Sequence, residues 1–243
     1  MKITLVCEHN PGMDTPEGRA AYPEGMAECL AGIFSEGNEV TLLRAGENGV
    51  PGLTDELLGS TDVLVWWAHW YHGSVDDALA DKIAARVQCG MGAIFLHSAH
   101  FSKPLRRLLG TSCTLTWREA GERERLWCTD PAHPIAAGLP GYIDIPHEEM
   151  YGEPFDIPAP DELVYLGWFE GGEALRAGCV FRRGRGKIFY FNPGHETYPT
   201  YHIPEVQRLL TQAAEYVAPR EVAESIGCRH RAEFAIPVRK DGN

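Results

Sequence analysis

The chain has 243 residues, 44% hydrophobic and 23% charged, with a formal net charge of −12. That length and balance suit one α/β domain with a sizeable buried core. The acidic charge argues against a nucleic-acid or anionic-membrane partner, since gripping phosphate takes clustered Lys and Arg.

In chain order, Ile3 to Cys7 reads as a buried strand, followed by a charged, Gly/Pro-rich loop from Glu8 to Tyr22. A loop of that length points to function. Pro23 opens a helix through about Ser35, with Met26, Cys29, Leu30, Ile33 and Phe34 on one face. A second strand spans Glu39 to Leu43, and a short helix, Leu53 to Leu58, takes Thr54 as its cap. Val63 to Ala68 is the third strand. Ser74 caps the next helix, which carries Val75, Leu79, Ile83 and Val87. The fourth strand, Ala93 to Leu96, leads to a helix from about Ser102 to Leu109.

This alternation predicts a parallel sheet with helices on both faces. From Cys113 to Phe181 the pattern changes to short strand-like runs rich in Pro and Gly: Leu126 to Thr129, Tyr142 to Ile145, Leu163 to Trp168 and Gly178 to Phe181. They form an antiparallel extension of the main sheet. The basic run Arg182 to Lys187 reads as a solvated hairpin turn. A last strand, Ile188 to Phe191, precedes a helix from Pro204 to Val217 with Val206, Leu209, Leu210, Ala213 and Val217 inward. The expected organisation is one domain over residues 1–218, with the antiparallel insertion at about 111–182, and a C-terminal tail over 219–243.

Seven cysteines without a CxxC spacing fit reduced thiols. No apolar run reaches membrane-spanning length, and the first residues read as a strand rather than a leader. The expectation is a cytoplasmic protein, and a homo-oligomer on base rates.

The chemistry concentrates where strands end. His69 and His72 follow the third strand, His97 and His100 the fourth, and Pro193-Gly194-His195-Glu196 the last. In an open parallel sheet, ligands bind outside the carboxyl ends of the strands, so imidazoles repeated there predict a polar, metal-capable site. His97 takes the sharp strand-to-helix position, where an imidazole serves as base or ligand. Ser98 lacks the G-x-S-x-G setting of a nucleophile. The segment Pro146 to Glu153 adds His147 and carboxylates within a few residues. An exposed acidic loop is the plainer reading, but Met150, Tyr151 and Phe155 interleave and imply partial burial. Buried acids need a partner or a cation. Glu196 beside His195 can orient an imidazole. Trp70, Tyr71 and Tyr198 lie past strand ends and offer walls suited to sugar rings.

The motifs Val63 to His69, Leu96 to Lys103, Gly110 to Cys113, Trp117 to Glu122, His147 to Phe155 and Pro193 to Pro199 resemble the ThuA-like, trehalose-utilisation family, from about residue 2 to 218. The resemblance implies a flavodoxin-like, class I glutamine amidotransferase-like sheet with an antiparallel addition. It also implies metabolism of oxidised (keto) disaccharides or glycosides. Where the amidotransferase elbow carries a cysteine nucleophile, this chain has His97, so glutaminase chemistry by that route is not available.

The resulting expectation is a sugar-processing enzyme using metal-assisted or His/Glu acid–base chemistry. His97, His195, Glu149 and Glu196 are its catalytic candidates. Trp70, Tyr151, Tyr198, Glu8 and Lys103 are candidates for holding the sugar, and His69, His100 and His195 for holding a divalent ion, zinc by preference for N/O donors. The rival is a non-catalytic sugar-binding or regulatory protein.

Overall fold

The computed structural model describes residues 1–228; residues 229–243 of the expected tail lie outside them. One nine-stranded sheet organises the chain. Its parallel part is built from β1 (Lys2–Glu8), β2 (Glu39–Ala45), β3 (Val63–Trp67), β4 (Gly92–Leu96) and β9 (Gly186–Phe191) in the order β2-β1-β3-β4-β9. This is the flavodoxin-like order, with the last strand of the chain in fifth place. β3 and β4 are buried along their whole length, as expected of strands covered on both faces.

Beyond β9 the sheet continues antiparallel through β8 (Ala174–Arg183), β7 (Glu162–Phe169), β5 (Thr116–Cys128) and β6 (Tyr142–Gly152). The expected extension is present, and three of its strands are much longer than their apolar cores suggest. The first half of β5 is largely exposed, so it carries no alternating apolar signal. Arg118 holds Glu122 and Glu173 there instead. The basic run forms the β8–β9 hairpin, with Arg182 paired to Lys187 across it.

Helices cover both faces. α2 (Met26–Phe34) packs on β1 and β2 and against α6 (Pro204–Val217), which also lies on β4 and β9. α3 (Asp55–Ser60), α4 (Asp77–Cys89) and α5 (Lys103–Leu109) contact one another in sequence on the other side. The inward residues expected of α6 are all buried. Thr54 caps α3 by accepting the Leu57 N–H at 3.2 Å. α4 starts at Asp77 rather than near Ser74.

The long loop after β1 is itself folded, into a 3-10 turn (Pro11–Asp14) and α1 (Pro16–Ala21). The following helix starts three residues past Pro23, because Gly25 takes φ +98° and separates the two. No helix among the described residues is long and apolar enough to cross a membrane.

Candidate metal and acid–base centre

Parallel strands deliver their carboxyl ends to one rim, and the loops that leave this rim carry the histidines. His69 lies two residues past β3, His97 directly past β4, and His195 four residues past β9. Their rings sit 5.0–5.4 Å apart, centroid to centroid, each pair inclined by 74–90°. Glu149 comes from the antiparallel strand β6. Together His69, His97, Glu149 and His195 offer four donor atoms within 4.8 Å of one another. Residues far apart in sequence thus form one cluster.

Each imidazole is held by a partner that decides where its proton resides. His97 is the first residue of a 3-10 turn and takes φ +53°, an unfavourable backbone for a side chain with a Cβ. Its Nδ1–H donates to the Asn192 carbonyl at 3.2 Å, which leaves the Nε2 lone pair facing the cluster. The ring is sandwiched between Trp67 and Tyr151, nearly parallel to both. Burial, with the nearby His69 charge, pushes its pKa down to about 3, so it is a neutral donor.

His69 donates Nδ1–H to Glu196 Oε2 at 2.8 Å. Burial disfavours its charged form, but the Glu196 bond and charge prevail and raise its pKa. Against burial, the same bond and the histidine charges hold Glu196 down at about 2. This carboxylate–histidine pair is the arrangement that orients metal ligands. His195 Nδ1 accepts from the Thr197 backbone N–H at 3.2 Å and faces the Thr197 hydroxyl at 2.8 Å, so the neutral ring carries its proton on Nε2. Burial and the His97 charge lower the His195 pKa.

Glu149 is the unusual member. It is 3% exposed, and its Oε2 has no hydrogen-bond partner. That atom faces His97 Nε2 at 3.2 Å, and with His97 protonated on Nδ1 both are acceptors. Burial raises the Glu149 carboxyl. An orphaned, buried carboxylate oxygen aimed at three neutral-capable imidazoles fits a divalent cation of the Zn²⁺ class.

The cluster opens on a cavity of about 310 Å³ lined by Ser98, His72, His100, Phe101 and Trp117 among others. His69 and Glu149 belong to both cluster and cavity. Tyr151 joins the two regions: its hydroxyl contacts Ser98 Oγ and lies 3.4 Å from His97 Nε2.

The remaining expected site residues fall in several places. His100 stands outside the cluster, one 3-10 turn past His97, where its Nδ1–H donates to the Cys113 carbonyl at 2.6 Å. It lines the cavity instead. Lys103 is on α5 and pairs with Asp77 at 3.3 Å, away from the cluster. Glu8 is buried and accepts backbone N–H groups. Trp70 is 54% exposed and meets His69 edge-on. Tyr198 packs near the His195 ring and donates its hydroxyl to Glu119.

Glu119 was not singled out in the sequence. It lies 3.6 Å from His195 Nε2, brought there by a register shift in β5 between Arg118 and Glu122. Such shifts re-aim side chains. The only sequence mark of this one is Gly121, which takes φ +62° beside the Tyr198 hydroxyl.

Sheet order and the strand-end cluster define a class: an α/β protein with a flavodoxin-like mixed sheet, helices on both faces and a His/Glu centre at the rim. The chain belongs to the ThuA family, described as trehalose utilisation, whose profile matches residues 17–217. Its fold is similar to that of a putative ThuA-like protein from Bacteroides uniformis, with TM-score 0.60 and 15% identity over 89% of this chain and 91% of that one. A putative ThuA-like protein from Parabacteroides merdae gives TM-score 0.57 and 15% identity over 93% and 92%. A putative GMP synthase component from Thermoplasma acidophilum gives TM-score 0.52 and 13% identity over 89% and 95%. No curated protein matches the chain.

Proposed function

We propose that the chain is an enzyme acting on an oxidised (keto) disaccharide or glycoside, with a divalent cation held by His69, His97, Glu149 and His195. The observation that carries this reading is the unpartnered Glu149 Oε2 set against the His97 lone pair. It is reinforced by the surroundings. Glu149 and Glu196 are both buried, and among the described residues no Lys or Arg pairs with either. Buried negative charge without a cation is costly. The family's description, trehalose utilisation, supports a sugar substrate.

A cation bound there supplies a Lewis acid that polarises a carbonyl or hydroxyl oxygen. The chain's own groups divide the proton work. A sugar bound in the cavity lies against His69 and Glu149, with Trp117 in the same lining. Of the four cluster residues, Glu149 also lines the cavity; with the three imidazoles sufficient to hold the cation, its carboxyl takes the proton alpha to the sugar carbonyl and returns it to the departing or developing oxygen. Ser98, which lines the cavity and contacts Tyr151, is placed to hydrogen-bond that oxygen. Isomerisation, elimination and hydrolysis of a keto-glycoside share this first step.

Untagged protein tests the reading by elemental analysis and by assay on keto-disaccharides and keto-glycosides with and without chelator. Near-stoichiometric metal, chelator-sensitive turnover and a loss of about a hundredfold or more in His97→Ala support it. Less than about a tenth of an equivalent of Zn, Mn, Fe or Ni, with turnover indifferent to chelator, removes the cation. Sugar binding without turnover by the wild type makes it a binding protein.

A further inference from the structure

Two buried carboxylates near the cluster touch neither the cavity nor one another, yet each gathers a fan of backbone N–H groups. Glu8, the last residue of β1, accepts from three consecutive residues of the loop after β3: His69 N at 3.2 Å and Trp70 N at 2.6 Å on Oε1, and Tyr71 N at 2.9 Å on Oε2. Glu148, on β6, does the same for the loop after β9. Its Oε2 accepts from Gly194 N and the Thr200 hydroxyl, both at 2.8 Å. Its Oε1 accepts from His195 N and Glu149 N, both at 3.0 Å. Glu8 is 2% exposed and Glu148 fully buried.

The two fans bind the loops that carry His69 and His195, and each includes the N–H of the histidine itself. His97 has no such carboxylate. It needs none, because it follows β4 directly and its backbone is fixed by the strand-to-turn junction. His69 and His195 lie on longer excursions, where successive N–H groups would otherwise find no acceptor. Loops free to move by an ångström do not hold a tetrahedral site, which needs its donors within about 0.5 Å.

We infer that Glu8 and Glu148 are positioning residues, a matched pair of carboxylate clamps that set His69 and His195 at the distance a cation requires. The inference rests on the cation reading of the cluster and adds to it the source of the geometry. Glu148 has a further reach: it accepts from Glu149 N as well as from Gly194 and His195. It thereby fixes two members of the cluster to one another across β6 and the β9 loop. The register shifts of β5 and β6 on either side of the Glu122–Glu148 pair give consecutive residues, Glu148 and Glu149, separate tasks at one site. A clamp with donors on all sides tolerates no carboxamide, because the Gln NH₂ would face N–H groups.

The test uses the full chain stripped with chelator and titrated with Co²⁺ alone, read by its visible d–d absorption. Glu148→Gln and Glu8→Gln are compared with Glu162→Gln, a carboxylate bonded to His133, Arg182 and Tyr216 far from the cluster. Both clamp variants are expected to lose about 10- to 100-fold in Co²⁺ affinity and to shift or weaken the d–d bands. Glu162→Gln should lower the melting temperature while keeping both. Thr200→Val removes one of the four bonds to Glu148 and should move affinity in the same direction by less, which keeps the clamp testable should Glu148→Gln not fold.

Wild-type affinity and spectrum in folded clamp variants overturn the inference. Wild-type protein that binds no Co²⁺ overturns the cation reading instead. The clamp is then read on metal-free protein, from the ring ¹⁵N shifts of His69 and His195 in long-range ¹H–¹⁵N spectra. Shifts that change in Glu8→Gln for His69 and in Glu148→Gln for His195 support it, and unchanged shifts in both refute it.

Discussion

Glu149 Oε2 lies 3.2 Å from His97 Nε2, and the Asn192 carbonyl has claimed the other ring nitrogen's proton. Two acceptors at that distance repel unless a proton or a cation lies between them. Without a cation, burial favours the protonated Glu149 carboxyl. Cation binding must therefore displace a proton, and affinity for Zn²⁺ or Co²⁺ should rise with pH through the range where Glu149 ionises.

Glu149→Gln places an amide N–H against the His97 lone pair and removes the buried charge. Where Glu149 is ionised it should raise the stability of metal-free protein by about 1–3 kcal/mol, the cost of an unsatisfied buried group, and where the carboxyl is protonated it should change little, while metal affinity is abolished at every pH. Calorimetric melting of metal-free and metal-loaded samples checks both signs together. A variant less stable than metal-free wild type would mean that the carboxylate is already satisfied.

The turn before His195 allows a sharp test of how the loop is built. Gly194 has φ +129°, and a Cβ there would overlap the buried Tyr201 hydroxyl and ring. Gly194→Ala therefore combines a backbone few side chains adopt with overpacking, at about 3 kcal/mol or more. Gly141→Ala meets nothing within 4 Å at an ordinary φ and should be nearly neutral. Denaturant midpoints of the two variants should differ accordingly, and equal midpoints would show that Tyr201 yields freely.

What the sequence revealed of this site follows from the geometry of parallel sheets. Apolar runs ending in His69, His97 and His195 imply one rim, because parallel strands align their carboxyl ends. The convergence of those three residues needed no further information. The Glu149 contribution was readable from acids interleaved with Met150 and Tyr151. Direction within a loop was not readable. His100 was expected among the ligands and His72 was given no role, yet both line the cavity outside the cluster, while His97, which was expected to be a base, joins His69 in it. Glu8 was expected to hold the sugar, and nothing in its neighbours showed that it would spend its oxygens on backbone. Glu119 depends on a register shift in an exposed strand, where periodicity carries no signal.

His100 should govern part of the acid sensitivity of the fold. Burial pushes its pKa down to about 4, with the His97 and His69 charges adding to the effect and the Cys113 carbonyl opposing it. Below the unfolded value of 6.5 the unfolded chain takes a proton that the folded chain refuses. Stability is fully present above pH 6.5 and falls toward pH 4, by about 3 kcal/mol for a shift of this size. His97 and His72, both near 3, act with the same sign. His69 acts oppositely: its raised pKa contributes stability below 6.5 that is lost as pH climbs through the folded value. In His100→Gln the acid-side slope should be shallower, so its melting curve approaches that of wild type as pH drops from 6.5 to 4. Curves that stay parallel would remove His100 from the account.

Trp117 separates recognition from stability. It stands on the exposed start of β5, 66% accessible, yet lines the cavity that His69 and Glu149 share with the cluster. A tryptophan that buries so little on folding contributes little to holding the fold, so Trp117→Ala should change stability by no more than about 0.5 kcal/mol. Its open face is suited to the C–H surface of a sugar ring, and losing one aromatic contact of this kind costs about 0.5–1.5 kcal/mol. KM or Kd for the sugar should then rise by about two- to tenfold, with kcat and metal content unchanged, because no reacting atom meets the indole. A fall in kcat at constant KM would place Trp117 in the chemistry, and an unchanged KM would show that the sugar enters by another path.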